Sequence, residues 1–170
     1  MNLNEEIDIG LFSKDKPVPK ANGIAINSDG KRLFYCPLGS RKLYSVETDA
    51  LFDRTISDEK VAETVIDEGD RCRASDGLES DADGYIYSTN YEHNAILRRK
   101  SDDSGKAWET VIHDPHLLWP DTMSIATDGY LYVTANQLHR QPKYQEGKDL
   151  RIKPCMLFRI KINAQPVLLS

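Results

Sequence analysis

Along most of this chain apolar and polar residues alternate in short runs, and three of those runs share one layout. NGIAINSDGKRLFYC begins at Asn22, DGLESDADGYIYSTN at Asp76 and DTMSIATDGYLYVTAN at Asp121. Each opens on Asn or Asp, passes through a few apolar positions to an Asp-Gly pair, and continues into an alternating aromatic run. Period-2 alternation predicts strands at 24–26 and 33–35, at 85–87, and at 123–125 and 130–132, with Leu78 a weaker start to the second copy. Asp-Gly between two such runs predicts a hairpin, because glycine takes a positive φ without steric cost. The leading residues step from 22 to 76 to 121 and the glycines from 30 to 84 to 129, the same two intervals of 54 and 45 residues. Two independent landmarks therefore mark one repeat.

Third and fourth strands are predicted at 42–46 and 61–66 in the first unit and at 95–99 and 108–112 in the second. These units end alike, AETVID and WETVIH. The extra length of the first falls around TDALFDRTISDEK, read as a short helix or long loop. In the third unit the third strand comes late, at 156–162, and only 167–169 remain for a fourth. IDIGLF, residues 7–12, has no unit of its own and reads as the fourth strand of a neighbouring blade. A period near 45 with four short strands per unit predicts an all-β protein, a β-propeller of about three four-stranded blades. The blades are expected at 21–67, 75–113 and 120–170, in a single half-propeller domain preceded by an N-terminal arm at 1–20. Propellers close with about 4–8 blades, so three blades would leave two apolar faces open. The expected remedy is a homodimer whose two copies complete a six-bladed ring across a two-fold axis.

Composition narrows the function. An apolar fraction of 39% with 29% charged residues fits an ordinary folded domain. The net charge of −5 disfavours phosphate backbones, so no nucleic-acid partner is expected. No apolar run is long enough for a membrane helix, and the acidic N-terminus MNLNEEIDIGLF lacks the basic start of an export signal, giving a cytoplasmic expectation. Cys36, Cys72 and Cys155 form no CxxC pair and read as reduced thiols in or near the core.

Strands nearest a propeller's axis start at the channel mouth, so Asn22, Asp76 and Asp121 should converge there. Amide and carboxylate oxygens suit a hard cation, and Ca²⁺ is the expected metal. Glu79 could face the same channel, and Asn136, His139 and Arg140 could line its mouth as ligand contacts. The competing reading is that Asn or Asp at a strand entrance simply bonds neighbouring backbone. Asp29, Asp83 and Asp128 read as turn residues, His93, His113 and His116 as loop residues, and Trp119 as packing between blades.

The segments DGLESDADGYIYSTN, EHNAILRR, DPHLLWPDTMSIATDGYLYVTANQLHRQP and KPCMLFRIKI closely resemble the yellow/major royal jelly protein family, with LLWPDT followed by NQLHRQP as the specific pair. The resemblance covers roughly residues 21 to 162 and is to the C-terminal half only. It implies a six-bladed propeller, related more distantly to the gluconolactonase/regucalcin superfamily of metal-dependent lactone hydrolases. Asn22 and Asp76 resemble that superfamily's Asn and Asp metal ligands, with Asp121 in the equivalent place of the third copy. The superfamily's site also uses a glutamate from the half without a counterpart here. The resulting expectation is a small-molecule-binding half-propeller. One alternative is a metal-dependent lactonase-type hydrolase with Asp76 or Asp121 as base; another is a non-functional gene fragment.

Overall fold

The computed structural model describes residues 21–71, 73–102 and 107–169. The first antiparallel sheet runs in the order β1 (Ala21–Ile26), β2 (Arg32–Pro37), β3 (Lys42–Glu47) and β4 (Ile66–Asp70). The second is β5 (Leu78–Ser80), β6 (Tyr85–Asn90), β7 (Ala95–Lys100) and β8 (Glu109–His113). The third holds β9 (Pro120–Ile125), β10 (Tyr130–Ala135) and β11 (Met156–Lys161), three strands among the described residues. Strands of each sheet follow chain order, and β5 packs against both β1 and β9. The first strands therefore lie side by side, and the sheets radiate from them as propeller blades.

The repeated turns are built alike. Gly30, Gly84 and Gly129 have φ of 73°, 82° and 81°, and their N–H groups bond the carbonyls of Asn27, Asp81 and Ala126 at 2.9, 3.1 and 3.1 Å. The first hairpin is one residue longer, however: Asn27 N–H reaches Arg32 O, whereas Asp81 reaches Tyr85 and Ala126 reaches Tyr130. One residue of slip sends each side chain to the opposite sheet face. Counted from the closing residues Arg32, Tyr85 and Tyr130, Leu33 then matches Ile86 and Leu131, and Phe34 matches Tyr87 and Tyr132.

That register decides the core. Phe34, Cys36, Ala25 and Leu43 of the first blade pack against Leu78 and Ile86 of the second. Tyr87 and Ile96 of the second pack against Met123, Ile125, Leu131 and Val133 of the third, with Leu117. Arg99, 1% exposed in its side chain, pairs with Glu68 across the first two blades at 3.0 Å. Arg71, fully buried, spans the same seam by donating to Ser40 O at 2.7 Å and Ser88 Oγ at 3.3 Å.

Two strand expectations change. The apolar run at 61–66 begins as helix: α1 (Thr48–Phe52) and α2 (Asp58–Glu63) fill the long insertion and β4 starts only at Ile66. Val61 packs on Tyr35 and Val46, flanked by Leu33, Leu51, Ile56 and Val65, so the helices cover much of the face that the first blade turns away from the second. Residues 167–169 form no fourth strand. Instead, the C-terminal segment crosses the turn ends of the blades, bonding Ala82 N–H through Gln165 O at 2.9 Å, pairing Pro166 with Asp81, and laying Leu169 beside Gly30. The expected strand at 7–12 lies outside the described residues, as does Cys72, while Cys36 is buried and Cys155 exposed, both free. Among the described residues no helix is long and apolar enough to cross a membrane.

Candidate functional site: a carboxylate pair at the start of the first strands

The inner strands are held unusually close. A Cβ on Gly23 would stand 2.8–2.9 Å from the backbone of Asp76, Gly77 and Leu78, and one on Gly77 would collide with the carbonyl of Asp121. Only glycine permits this approach. It brings the leading residues of the three copies together at one end of the strands, opposite the glycine turns.

At that end each inner strand leaves its ladder at the leading residue. The β1–β2 register shifts between Ala21 and Gly23, and the β9–β10 register shifts where Asp121 and Thr122 sit. In the second copy β5 begins two residues after Asp76, and the Asp76 and Gly77 N–H groups bond the Thr89 hydroxyl at 2.9 and 3.0 Å. Bulges of this kind turn a side chain out of the pleat, and they are common beside binding sites.

Asp76 is the centre of the cluster. It is 7% exposed. Its Oδ1 accepts from the Asn22 amide and its Oδ2 from the Trp119 indole N–H at 2.7 Å. Burial pushes its carboxyl up to about 6. The Trp119 and Asn22 hydrogen bonds oppose that rise, while the charge of Asp121, within hydrogen-bonding reach, adds to it. The Asn136 amide holds the other oxygen pair, donating to Asp121 Oδ2 at 2.7 Å, and its own Oδ1 accepts from Leu138 N–H at 2.8 Å.

The remaining residues divide. His139 stacks on Trp119 with ring centroids 5.7 Å apart, and its Nδ1 is buried without a partner among the described residues. Burial lowers its pKa, and Arg140 adds to the effect. Arg140 belongs to the 3₁₀ turn Leu138–Arg140, where its carbonyl accepts from Leu150 N–H at 2.9 Å. Glu79 turns to backbone: it accepts the Ser80 N–H at 2.8 Å, and a bond from Ile125 N–H also holds its charge, against the upward push of burial.

Trp119 does more than pack between blades. It lies flat on Tyr91, centroids 4.1 Å apart and planes 5° apart, with its backbone at φ 59°. The left-handed backbone aims the indole N–H at Asp76. Nothing in the sequence announces that conformation in a tryptophan; Pro120 after it, which disfavours the α region for Trp119, was the one available hint. Tyr91 and Thr89 were missed for a similar reason, since their roles depend on the second blade's position.

A family-wide sequence profile described as Major royal jelly protein matches residues 4–165. The chain belongs to the major royal jelly protein family. This royal jelly family member is also similar in structure to the luciferin-regenerating enzyme (TM-score 0.61, 15% identity, covering 89% of this chain and 49% of that one). It resembles a gluconolactonase from Xanthomonas campestris (TM-score 0.62, 17% identity, 88% and 46% covered) and a calcium-binding regucalcin from Agrobacterium tumefaciens (TM-score 0.56, 15% identity, 86% and 47% covered). At these identities the likeness shows the fold, three blades of a β-propeller. The chain spans about half the length of these solved structures. A search of the curated proteins found no relative by sequence.

The calcium expectation can be tested against the donors. Oxygens from Asn22, Asp76 and Asp121 are of the hard type that Ca²⁺ prefers, but the ion takes about 6–8 oxygens. Among the described residues no three acidic, histidine or cysteine side chains group as a metal site. Three such side chains by themselves supply too few oxygens for a calcium centre.

Proposed function

We propose that this royal jelly family member is a small-molecule-binding protein whose site is the Asp76–Asp121 carboxylate pair, and that two copies assemble so that the pair lines a closed axial channel. One observation carries the reading: Asp76 is a nearly buried carboxyl fixed from two sides, by Asn22 and Trp119, against a second carboxyl. Such an arrangement costs stability, because a buried acid is desolvated and placed next to like charge. A fold does not need it to join blades, which Arg71, Arg99 and the apolar clusters already do. The pair presents acceptor oxygens, so the ligand is a cation or a molecule rich in hydroxyl and amine donors. Trp119, buried against Tyr91 and His139, fixes Asp76 rather than facing the ligand.

Asp76 near pH 6 also suits proton transfer, and this favours a second reading as a hydrolase in which Asp76 takes a proton from water. Calcium would enter either version only with oxygens from a second copy.

Trp119 touches Asp76 directly, so tryptophan emission reports on the site. Titration with CaCl₂ and, separately, with glucono-δ-lactone should change the emission saturably in the wild type and not in Asp121→Ala. An unresponsive wild type, with both probes up to millimolar levels, rules the site out for these classes. Lactone hydrolysis abolished by EDTA selects the hydrolase reading, and binding without turnover selects the binding protein.

A further inference from the structure

We propose that the loop between β10 and β11 docks on an anionic lipid membrane, with Leu150 and Ile152 entering the headgroup layer and the loop's cations resting on lipid phosphates. The proposal is independent of the pairing of copies.

Charge is distributed unevenly along the chain. Of its 22 basic and 27 acidic residues, the stretch 140–153 holds five basic ones, Arg140, Lys143, Lys148, Arg151 and Lys153, against Glu146 and Asp149. The loop is therefore +3, and the rest of the chain, 17 against 25, is −8. A polyanion that wrapped the protein would meet mostly like charge. A flat anionic surface touches one side only, and screening over about 10 Å limits its attraction to the charges nearest it.

The apolar part of the loop is held out by design of the backbone. Ile152 is 57% exposed, yet its N–H donates to Gln137 Oε1 and its carbonyl accepts from Gln137 Nε2, both at 2.8 Å. Gln137 itself is 2% exposed, with its backbone at φ 54°. A buried amide and a strained left-handed residue thus fix an isoleucine in water. Leu150, 50% exposed, is tied by its N–H to Arg140 O at 2.9 Å. Gly147 N–H to Pro142 O at 2.9 Å and the Gln145 amide to His139 O at 2.8 Å close the loop on itself, so little ordering is left to binding. Four of the nine large apolar side chains exposed among the described residues, Leu150, Ile152, Met156 and Leu157, fall within eight positions. Single exposed apolar side chains are ordinary, whereas such a concentration marks an interaction surface. Aliphatic side chains between cations suit a headgroup layer, which takes both; a nucleic acid would use only the cations. The loop leaves β10 at Ala135, which pairs with Pro120 beside Asp121, so docking sets the Asp76–Asp121 end of the blades next to the lipid.

The test is co-sedimentation of the full chain with phosphatidylcholine vesicles, with and without phosphatidylglycerol. Docking predicts binding to the anionic vesicles only, weakened by salt. Lys148→Glu with Lys153→Glu should weaken it at least about ten-fold, and so should Leu150→Ser with Ile152→Ser, while the equally charged control Lys31→Glu with Lys60→Glu stays within about two-fold of the wild type. No binding, equal binding to both vesicles, or an equal loss in the control overturns the proposal. Light scattering covers the other occupant: a two-chain mass that the loop variants reduce to one chain gives the surface to a second copy and overturns lipid docking. If the variants fail to fold, hydrogen exchange of the unmodified chain decides. Amides of 140–153 slowed by anionic vesicles support docking, and unchanged exchange there overturns it.

Discussion

Asp76 is an acid that the fold makes reluctant to ionise. Its carboxyl sits at about 6, against 3.8 for an unperturbed aspartate, chiefly because it is buried and secondarily because Asp121 faces it. The folded state therefore holds this proton more tightly than the unfolded chain does. The corresponding stability is complete below about pH 4 and is lost as pH rises through about 6. Asp76→Asn, which cannot ionise, should match the wild type near pH 4 and melt higher at pH 7.5. A gap of about 3 °C is expected, the effect of about 1 kcal/mol in a chain of this size. A constant gap across that pH range, read by calorimetry, would contradict the assignment. The sequence made Asn22, Asp76 and Asp121 visible together because they occupy one position of a repeat. It could not show that Trp119 would cap Asp76, since that depends on a left-handed tryptophan backbone, nor that Glu79 would accept the Ser80 N–H.

At the scale of strands and turns, the inner strands touch backbone to backbone, and Gly77 is the closest point. Gly77→Ala must push β5 away from Asp121, so a loss of about 1–3 kcal/mol is expected by urea denaturation. Gly147→Ala is the control: its φ of 85° also strains an alanine, but no atom lies within 4 Å of the added carbon, so only the backbone cost of about 1 kcal/mol applies. Equal losses would mean that close packing of the inner strands contributes nothing. The hairpins were legible because Asp-Gly turns are chosen locally. The fourth strand of the first blade was misplaced because VAETVI satisfies both strand and helix spacing. Val61 chose the helix, where its side chain covers Tyr35 and Val46.

Across the whole molecule the blades are fastened by charge as well as by apolar packing. Arg99 and Glu68 meet almost out of solvent, and Ser45 holds the second Glu68 oxygen at 2.6 Å. Glu68→Ala leaves a buried guanidinium with no carboxylate and should cost about 3–5 kcal/mol, whereas Glu68→Leu combined with Arg99→Leu should recover most of it. A single mutant as stable as the wild type would show that the pair does not secure the seam. The two outward faces differ from the exposed apolar pair expected of three lone blades. The helices α1 and α2 cover much of one, and the other carries Tyr132, Thr134, Leu157 and Arg159. Tyr132 and Thr134 repeat the positions of Tyr87 and Thr89, which the second blade turns toward the third.

The sequence by itself determined what neighbouring residues decide: the turns, the alternation within strands, the number of repeats and the polar residue that begins each one. Those follow from backbone sterics and side-chain alternation over a handful of positions. The tertiary structure alone decided which face of each strand meets the next blade, because one added residue in the first hairpin reverses the faces without changing composition. It alone decided, too, that Asp76 would be buried against an aspartate 45 residues away, since that burial depends on how closely the inner strands approach at Gly23 and Gly77.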